Sequence, residues 1–179
     1  MTVSGAAHVA WLSSQTAQRM AWPVDGGLMF RQRRLFGDNK RVSGFFVLPI
    51  AASLSFWVFA ALWARLPGEV PAMIWPLSTG GYALLGFACG LAFLVAELPN
   101  SFLKRQIGIA PGEVSSSPGV RFFTMALDRF DSVLGCLLVV SLIVPVSLAT
   151  WLWVLVLGVA THALFSVAMY RLGLKGRAM

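Results

Sequence analysis

From Phe45 to Ala64 the chain runs without a charged side chain, and a second uncharged run extends from Tyr82 to Ala96. A helix needs about 20 apolar residues to cross a bilayer. The first run meets that length unaided, and the second meets it once extended back toward Ala72. A third apolar block, Val133 to Tyr170, is too long for one span. Pro145 lies near its middle, and the Ser-Leu-Ala-Thr stretch after it suits a short external turn, so the block divides in two. The pattern predicts an all-α, polytopic integral membrane bundle with about four spans, over 45–65, 73–97, 133–148 and 151–170. Trp57, Trp63, Trp75, Trp151 and Trp153 fall at or near the expected span ends, where amphipathic rings prefer the interface. These spans belong to one membrane-embedded domain, 23–179. Residues 1–22 differ. His8 to Trp22 carries Ser13, Ser14, Gln15, Thr16, Gln18 and Arg19, too polar to span, and is expected as an amphipathic, surface-lying or poorly ordered segment.

Composition narrows the class. The chain is 58% hydrophobic and 12% charged, whereas soluble domains carry about 45–50% apolar and 25% charged residues. That excludes a disordered chain, a disulfide scaffold and an ordinary soluble globule. Cys89 and Cys136 sit inside apolar runs and read as small core residues. The formal charge is +7, which suits anionic lipid or a phosphorylated small molecule better than nucleic acid in so apolar a chain. Thirteen of the 14 Lys and Arg fall on one predicted side, with Arg65 alone opposite. The positive-inside bias places that side, and both termini, in the cytoplasm, with the cell inner membrane as the expected location. Asp25, Asp38, Glu97, Glu113, Asp128 and Asp131 fall on the same side, with Glu69 opposite. Acids do little to set topology, so both signs of charge gathered on one face point to a polar site.

Three stretches could build it. In Glu97-Leu-Pro-Asn-Ser-Phe-Leu-Lys-Arg105, a helix would align Glu97, Asn100, Ser101 and Lys104 in one polar stripe. Such a stripe can hold a metal–phosphate assembly, the carboxylate taking the cation and the donors taking phosphate oxygens. It can also be the polar end of a membrane helix. In Leu127-Asp-Arg-Phe-Asp-Ser132, one helical turn brings the Asp128 and Asp131 carboxylates together. Their repulsion can be relieved by Mg²⁺, which commonly binds one or two carboxylates plus substrate phosphates; a solvated helix start is the plainer alternative. The third stretch joins Pro23-Val-Asp-Gly-Gly27 to Arg31-Gln-Arg-Arg34 and Leu-Phe-Gly-Asp-Asn-Lys-Arg41. Glycines there let backbone amides approach an anion, while the basic residues could equally contact lipid headgroups. It is not a P-loop. His162, inside the fourth expected span, is either a neutral residue bonded to a neighbouring helix or functional. Residues 112–119 read as a loop that covers a substrate or merely connects.

These stretches, in this order, resemble the membrane cytidylyltransferases of the CDP-archaeol synthase family and the related phosphatidate cytidylyltransferases. The resemblance runs through Pro23-Val-Asp-Gly-Gly27 with Arg34-Leu-Phe-Gly-Asp-Asn-Lys40, Asn100-Ser-Phe-Leu-Lys-Arg105 with Ile107-Gly-Ile-Ala-Pro-Gly112, Leu127-Asp-Arg-Phe-Asp-Ser132, and His162 with Tyr170-Arg-Leu-Gly-Leu-Lys175. Glu97 stands where the family commonly has Asp, and Arg41-Val-Ser-Gly44 replaces its usual Thr-Trp stretch. The resemblance implies a CTP-dependent nucleotidyltransferase of phospholipid biosynthesis. It would transfer CMP from CTP to an archaetidic acid- or phosphatidate-like lipid, releasing pyrophosphate. Lys104, Asp128 and Asp131 would be catalytic; Glu97, Asp128 and Asp131 would hold Mg²⁺. Asp25, Asp38, Lys40, Asn100, Ser101, Arg105 and Arg129 would bind substrate. Expected partners are CTP, a lipid phosphate and the bilayer, with a homodimer as a further expectation and no nucleic acid. The rivals are a divergent non-catalytic scaffold or partner subunit of the same fold and a small transporter. A transporter would place several charges deep within the spans, where His162 alone falls.

Overall fold

The computed structural model describes residues 1–66, 74–171 and 173. Glu69, Lys175 and Arg177, and the end of the Leu-Gly-Leu-Lys175 stretch, lie outside the described residues. The chain forms α1 (Thr2–Leu12), α2 (Gln15–Arg19), a two-stranded antiparallel hairpin of β1 (Met29–Phe30) and β2 (Arg33–Arg34), then α3 (Gly44–Trp63), α4 (Thr79–Gln106), α5 (Pro118–Ile143) and α6 (Leu148–Arg171). This is an all-α integral membrane architecture, with the short hairpin as its one pair of named strands among the described residues.

Three described helices, α3, α4 and α6, are long and apolar enough to cross a membrane. The expected span at 133–148 takes a different form. Helix α5 starts fifteen residues earlier, carries Asp128, Arg129 and Asp131, and stops before the extended Val144. It nevertheless runs antiparallel along α4. Asn100 of α4 meets Asp128, the Cys89 carbonyl accepts from Cys136 Sγ at 3.3 Å, and Trp75 Nε1 donates to the Pro145 carbonyl at 3.2 Å. Helix α5 therefore covers the depth of α4 while turning Asp128 and Asp131 toward its neighbour, as suits polar groups near a membrane.

Two other boundaries depart from the sequence pattern. Helix α4 begins at Thr79, not near residue 73, because Ser78 Oγ caps it by accepting from the Gly81 amide at 3.0 Å. Leu148, Ala149 and Thr150, expected in a turn, instead open α6. Ser147 Oγ accepts from the Thr150 amide at 3.1 Å and supplies the start signal.

Close approach of small residues holds the bundle. A Cβ on Gly90 of α4 would lie 2.6 Å from the Pro49 Cα of α3, and one on Gly135 of α5 would lie 2.8 Å from the Ala92 carbonyl oxygen. Lipid tails are as apolar as Leu, so membrane helices associate through such contacts more than through the hydrophobic effect. Leu148, Leu152, Val156 and Leu164 of α6 are exposed, as suits a lipid-facing helix. In the N-terminal segment, α1 packs against α3 and α6. Its Ser4 is fully buried and donates to Ser55 of α3 at 3.3 Å.

Candidate functional site

The loop between α2 and α3 is organised around one acid. The Asp25 side chain is fully buried. Its Oδ1 accepts from the Gly27 amide at 3.1 Å and from Arg34 Nη2 at 2.6 Å; its Oδ2 accepts from the Phe36 and Gly37 amides, both at 3.0 Å. Burial pushes this carboxyl up, but the Arg34 bond and the three amides together hold it well below the usual carboxylate range. The anion that these glycine-rich amides cradle is thus the protein's own. Asp38 is largely exposed and pairs with Arg34 Nη1 at 3.0 Å. Neither acid lines the cavities described below, although both are expected among the substrate-binding residues.

That loop is fastened to the end of α4. Arg33 Nη1 donates to the Gln106 carbonyl, and Gln106 Nε2 donates to the Arg34 carbonyl at 3.3 Å. The Val24 amide donates to the Lys40 carbonyl at 2.7 Å, and Val42 to that of Trp22 at 2.9 Å. So anchored, the loop delivers Lys40 to an ion pair with Glu97 of α4. Gly37, at φ 88°, passes against Arg105. A Cβ there would sit 3.3 Å from Arg105 Nη1 and 2.8 Å from Pro111 Cγ, so only glycine lets the loop close over that guanidinium.

Across the helix interface, the α4 stripe meets the α5 acids. Asn100 Nδ2 donates to Asp128 Oδ1 at 2.7 Å and to Asp131 Oδ2 at 3.2 Å. Lys104 pairs with Asp128. Ser132 Oγ donates to Glu97 Oε1 at 2.9 Å and approaches Asp131 Oδ1 at 3.1 Å. Glu97, Asp131 and Asp128 therefore form a chain linked by Ser132 and Asn100. The oxygens of Glu97, expected as a third metal ligand, meet Lys40 and Ser132. Among the described residues no three His, Cys, Asp or Glu gather closely enough to hold an ion. Sequence reasoning gives Ser132 no site role, although it follows Asp128 by four positions and shares its helix face.

A cavity of about 270 Å³ opens beside this cluster and reaches its Glu97, Lys104 and Asp128, while Asn100, Asp131 and Ser132 lie outside the lining. Lys40, Ser101, Lys104, Arg105, Asp128 and Arg129 line it, with Gly112 and Glu113 of the α4–α5 loop on its wall. Arg129 Nη1 also donates to the Met125 carbonyl at 3.3 Å. Arg105 is buried, and its Nε and Nη1 meet no hydrogen-bond partner among the described residues. The Asn100 Oδ1 is likewise buried without a partner there. A second cavity, about 480 Å³ and mostly apolar, lies between α1, α3, α4, α5 and α6. The two share Asn39, Lys40, Glu97, His162 and Met169. His162 of α6 thus stands where polar and apolar spaces meet, its ring 6.1 Å from that of Phe93.

Residues 15–178 match a family model described as CarS-like, CDP-archaeol synthase. The chain is 28% identical over 165 residues to a CDP-archaeol synthase of Methanoculleus marisnigri, covering 86% of this chain and 87% of that one. It is 32% identical over 155 residues to a CDP-archaeol synthase of Thermofilum pendens, covering 86% of this chain and 64% of the relative. Over 127 residues it is 32% identical to one of Methanococcoides burtonii, covering 69% and 67%. No solved structure matches. With the match running from the loop of Asp25 through α6, the chain belongs to the CarS-like CDP-archaeol synthase family.

Proposed function

We infer that the polar cavity is where CTP and a phosphorylated lipid meet, and that the protein is a CTP-dependent lipid cytidylyltransferase. The observation that carries this is Arg105. A buried guanidinium with unpartnered nitrogens costs several kcal/mol, and an anion entering the cavity offsets it. Beside it stand Lys104 and Lys40, two further cations able to take phosphate oxygens.

The chemistry follows from charge. An ionised oxygen of the lipid phosphate attacks the α-phosphorus of CTP. A new P–O bond forms, the bond to the bridging oxygen of the β-phosphate breaks, and pyrophosphate leaves with the electron pair. Both reactants are anionic and the lipid phosphate is already ionised near neutral pH, so the protein needs to offset repulsion more than to move protons. Arg105 and Lys104 are assigned to the triphosphate, and Lys40, at the junction of the cavities, to the lipid phosphate. Ser101 and Asn100 orient the phosphates, and Arg129 adds charge at the rim. Glu97 and Ser132 position Lys40 and Asp131.

Asp128 and Asp131 are hard oxygen donors of the kind that suit Mg²⁺, which needs only one or two carboxylates when substrate phosphates complete its shell. Bound there, the ion would supply Lewis-acid stabilisation of the phosphoryl oxygens. The basic excess on this side supports a cytoplasmic site in the cell membrane. The names of the relatives point to archaeol phosphate over an ester-linked phosphatidate.

Purified protein incubated with labelled CTP, Mg²⁺ and a panel of ether- and ester-linked lipid phosphates should release pyrophosphate and form CDP-lipid, fastest with the archaeol type. Absence of product with every lipid would contradict the assignment and favour a non-catalytic member of the family.

A further inference from the structure

Helix α1 lies ahead of the residues that match the family, yet it closes one side of the apolar cavity. Gly5, His8 and Val9 line that cavity together with Phe93 of α4 and Leu157 and Phe165 of α6. The helix is fixed in place through the buried Ser4 and its bond to Ser55. His8 is seated against Gly44, where a Cβ would lie 3.2 Å from its Cε1. Its Nδ1 is buried and has no hydrogen-bond partner among the described residues. Lys40 and Glu97, which line the same cavity, are shared with the polar one. Burial holds the His8 imidazole below its ordinary value against the pull of Glu97, so at neutral pH it offers one N–H and one acceptor nitrogen.

An apolar cavity that shares Lys40, Glu97 and His162 with the polar one has the shape of an amphiphile, and His8 lines its apolar part. We propose that α1 is the lipid-selecting wall of this site. His8 hydrogen-bonds an oxygen of the glycerol phosphate headgroup, while Gly5 and Val9 limit the bulk and length of chain that fits beside Phe165. The assignment of a lipid rests on the cytidylyltransferase reading; the role of α1 adds to it.

The test compares His8→Ala, His8→Gln, Gly5→Ala and Gly5→Leu with the unaltered protein, using short- and long-chain dialkyl- and diacylglycerol phosphates. His8→Ala should raise the lipid KM roughly 3–10-fold, the worth of one hydrogen bond, with the CTP KM unchanged. His8→Gln should recover part of the loss. Gly5→Leu should depress kcat/KM for long chains more than for short ones. Gly5→Ala should not, since its methyl lies at an ordinary 3.6 Å from Phe165. Helix propensity favours both Gly5 substitutions, and thermal unfolding of each variant shows whether Leu, whose Cβ already meets the Phe165 ring, displaces α1. An unchanged lipid KM in His8→Ala with an unchanged chain-length profile in Gly5→Leu would overturn the proposal. If the unaltered protein makes no CDP-lipid, the reaction assignment fails separately. The thermal shift produced by the same lipids then decides: its reduction in His8→Ala supports the wall, and an equal shift overturns it.

Discussion

Asp25 and Asp131 are both inward-facing acids near basic residues on the same side of the molecule, and they are served in opposite ways. Asp25 takes three backbone amides and Arg34, which satisfies its oxygens from within its own loop. Asp131 has no ion pair among the described residues: it shares one Asn100 amide group with Asp128 and accepts from the backbone amide and hydroxyl of its neighbour Ser132. Close by, Arg105 and Asn100 keep buried polar atoms without partners among the described residues. A saturated acid holds a fold together, whereas an under-served cluster of both charges is arranged for something that arrives.

The largest effect should come from the under-served cluster. Asp131→Asn should cut CDP-lipid formation roughly 100-fold or more while leaving extraction and gel-filtration behaviour unchanged; a fully active variant would remove Asp131 from the chemistry. Arg105→Gln comes next. It should raise the CTP KM about 10–100-fold, as loss of charged hydrogen bonds does. Thermal unfolding in detergent should show equal or higher stability, because an unpaired buried charge has been deleted.

Asp25→Asn should behave in reverse. It should cost about 2 kcal/mol of stability, since buried donors lose a charged acceptor, with CTP affinity close to normal at temperatures where the variant stays folded. The pH dependence has a definite sign. The folded carboxyl titrates below its unfolded value of 3.8, so its contribution is complete above that pH and is lost as pH falls through the folded value. Acid unfolding curves of the parent and Asp25→Asn should therefore converge at low pH and separate above about pH 4. The smallest effect belongs to Asp38→Ala, which removes an exposed ion pair worth about 0.5 kcal/mol or less.

Periodicity alone reveals the apolar helices and the stripe of Glu97, Asn100, Ser101 and Lys104, because spacing along one helix is a local property. What spacing cannot reveal is the partner across the interface. The Asn100 bridge between Asp128 and Asp131 depends on the register of α4 against α5, which Gly135 and Ala92 set by close contact. The glycine-rich loop is recognisable as an anion cradle, but its composition does not say that Asp25 is the anion. Residues 1–22 read as a surface segment because Ser13 to Arg19 are polar, and spacing does not say that Ser4 of α1 meets Ser55. The α5–α6 break at Pro145 is visible in the sequence, while the cap at Ser147 moves the start of α6 into the expected turn.

The claim that the under-served cluster receives the nucleotide is tested most directly by calorimetric titration of CTP with Mg²⁺ into the parent protein, Arg105→Gln and Asp25→Asn. The parent should bind, folded Asp25→Asn should bind with similar strength, and Arg105→Gln should bind at least about tenfold more weakly. Equal affinity in the parent and Arg105→Gln, with loss confined to Asp25→Asn, would contradict it.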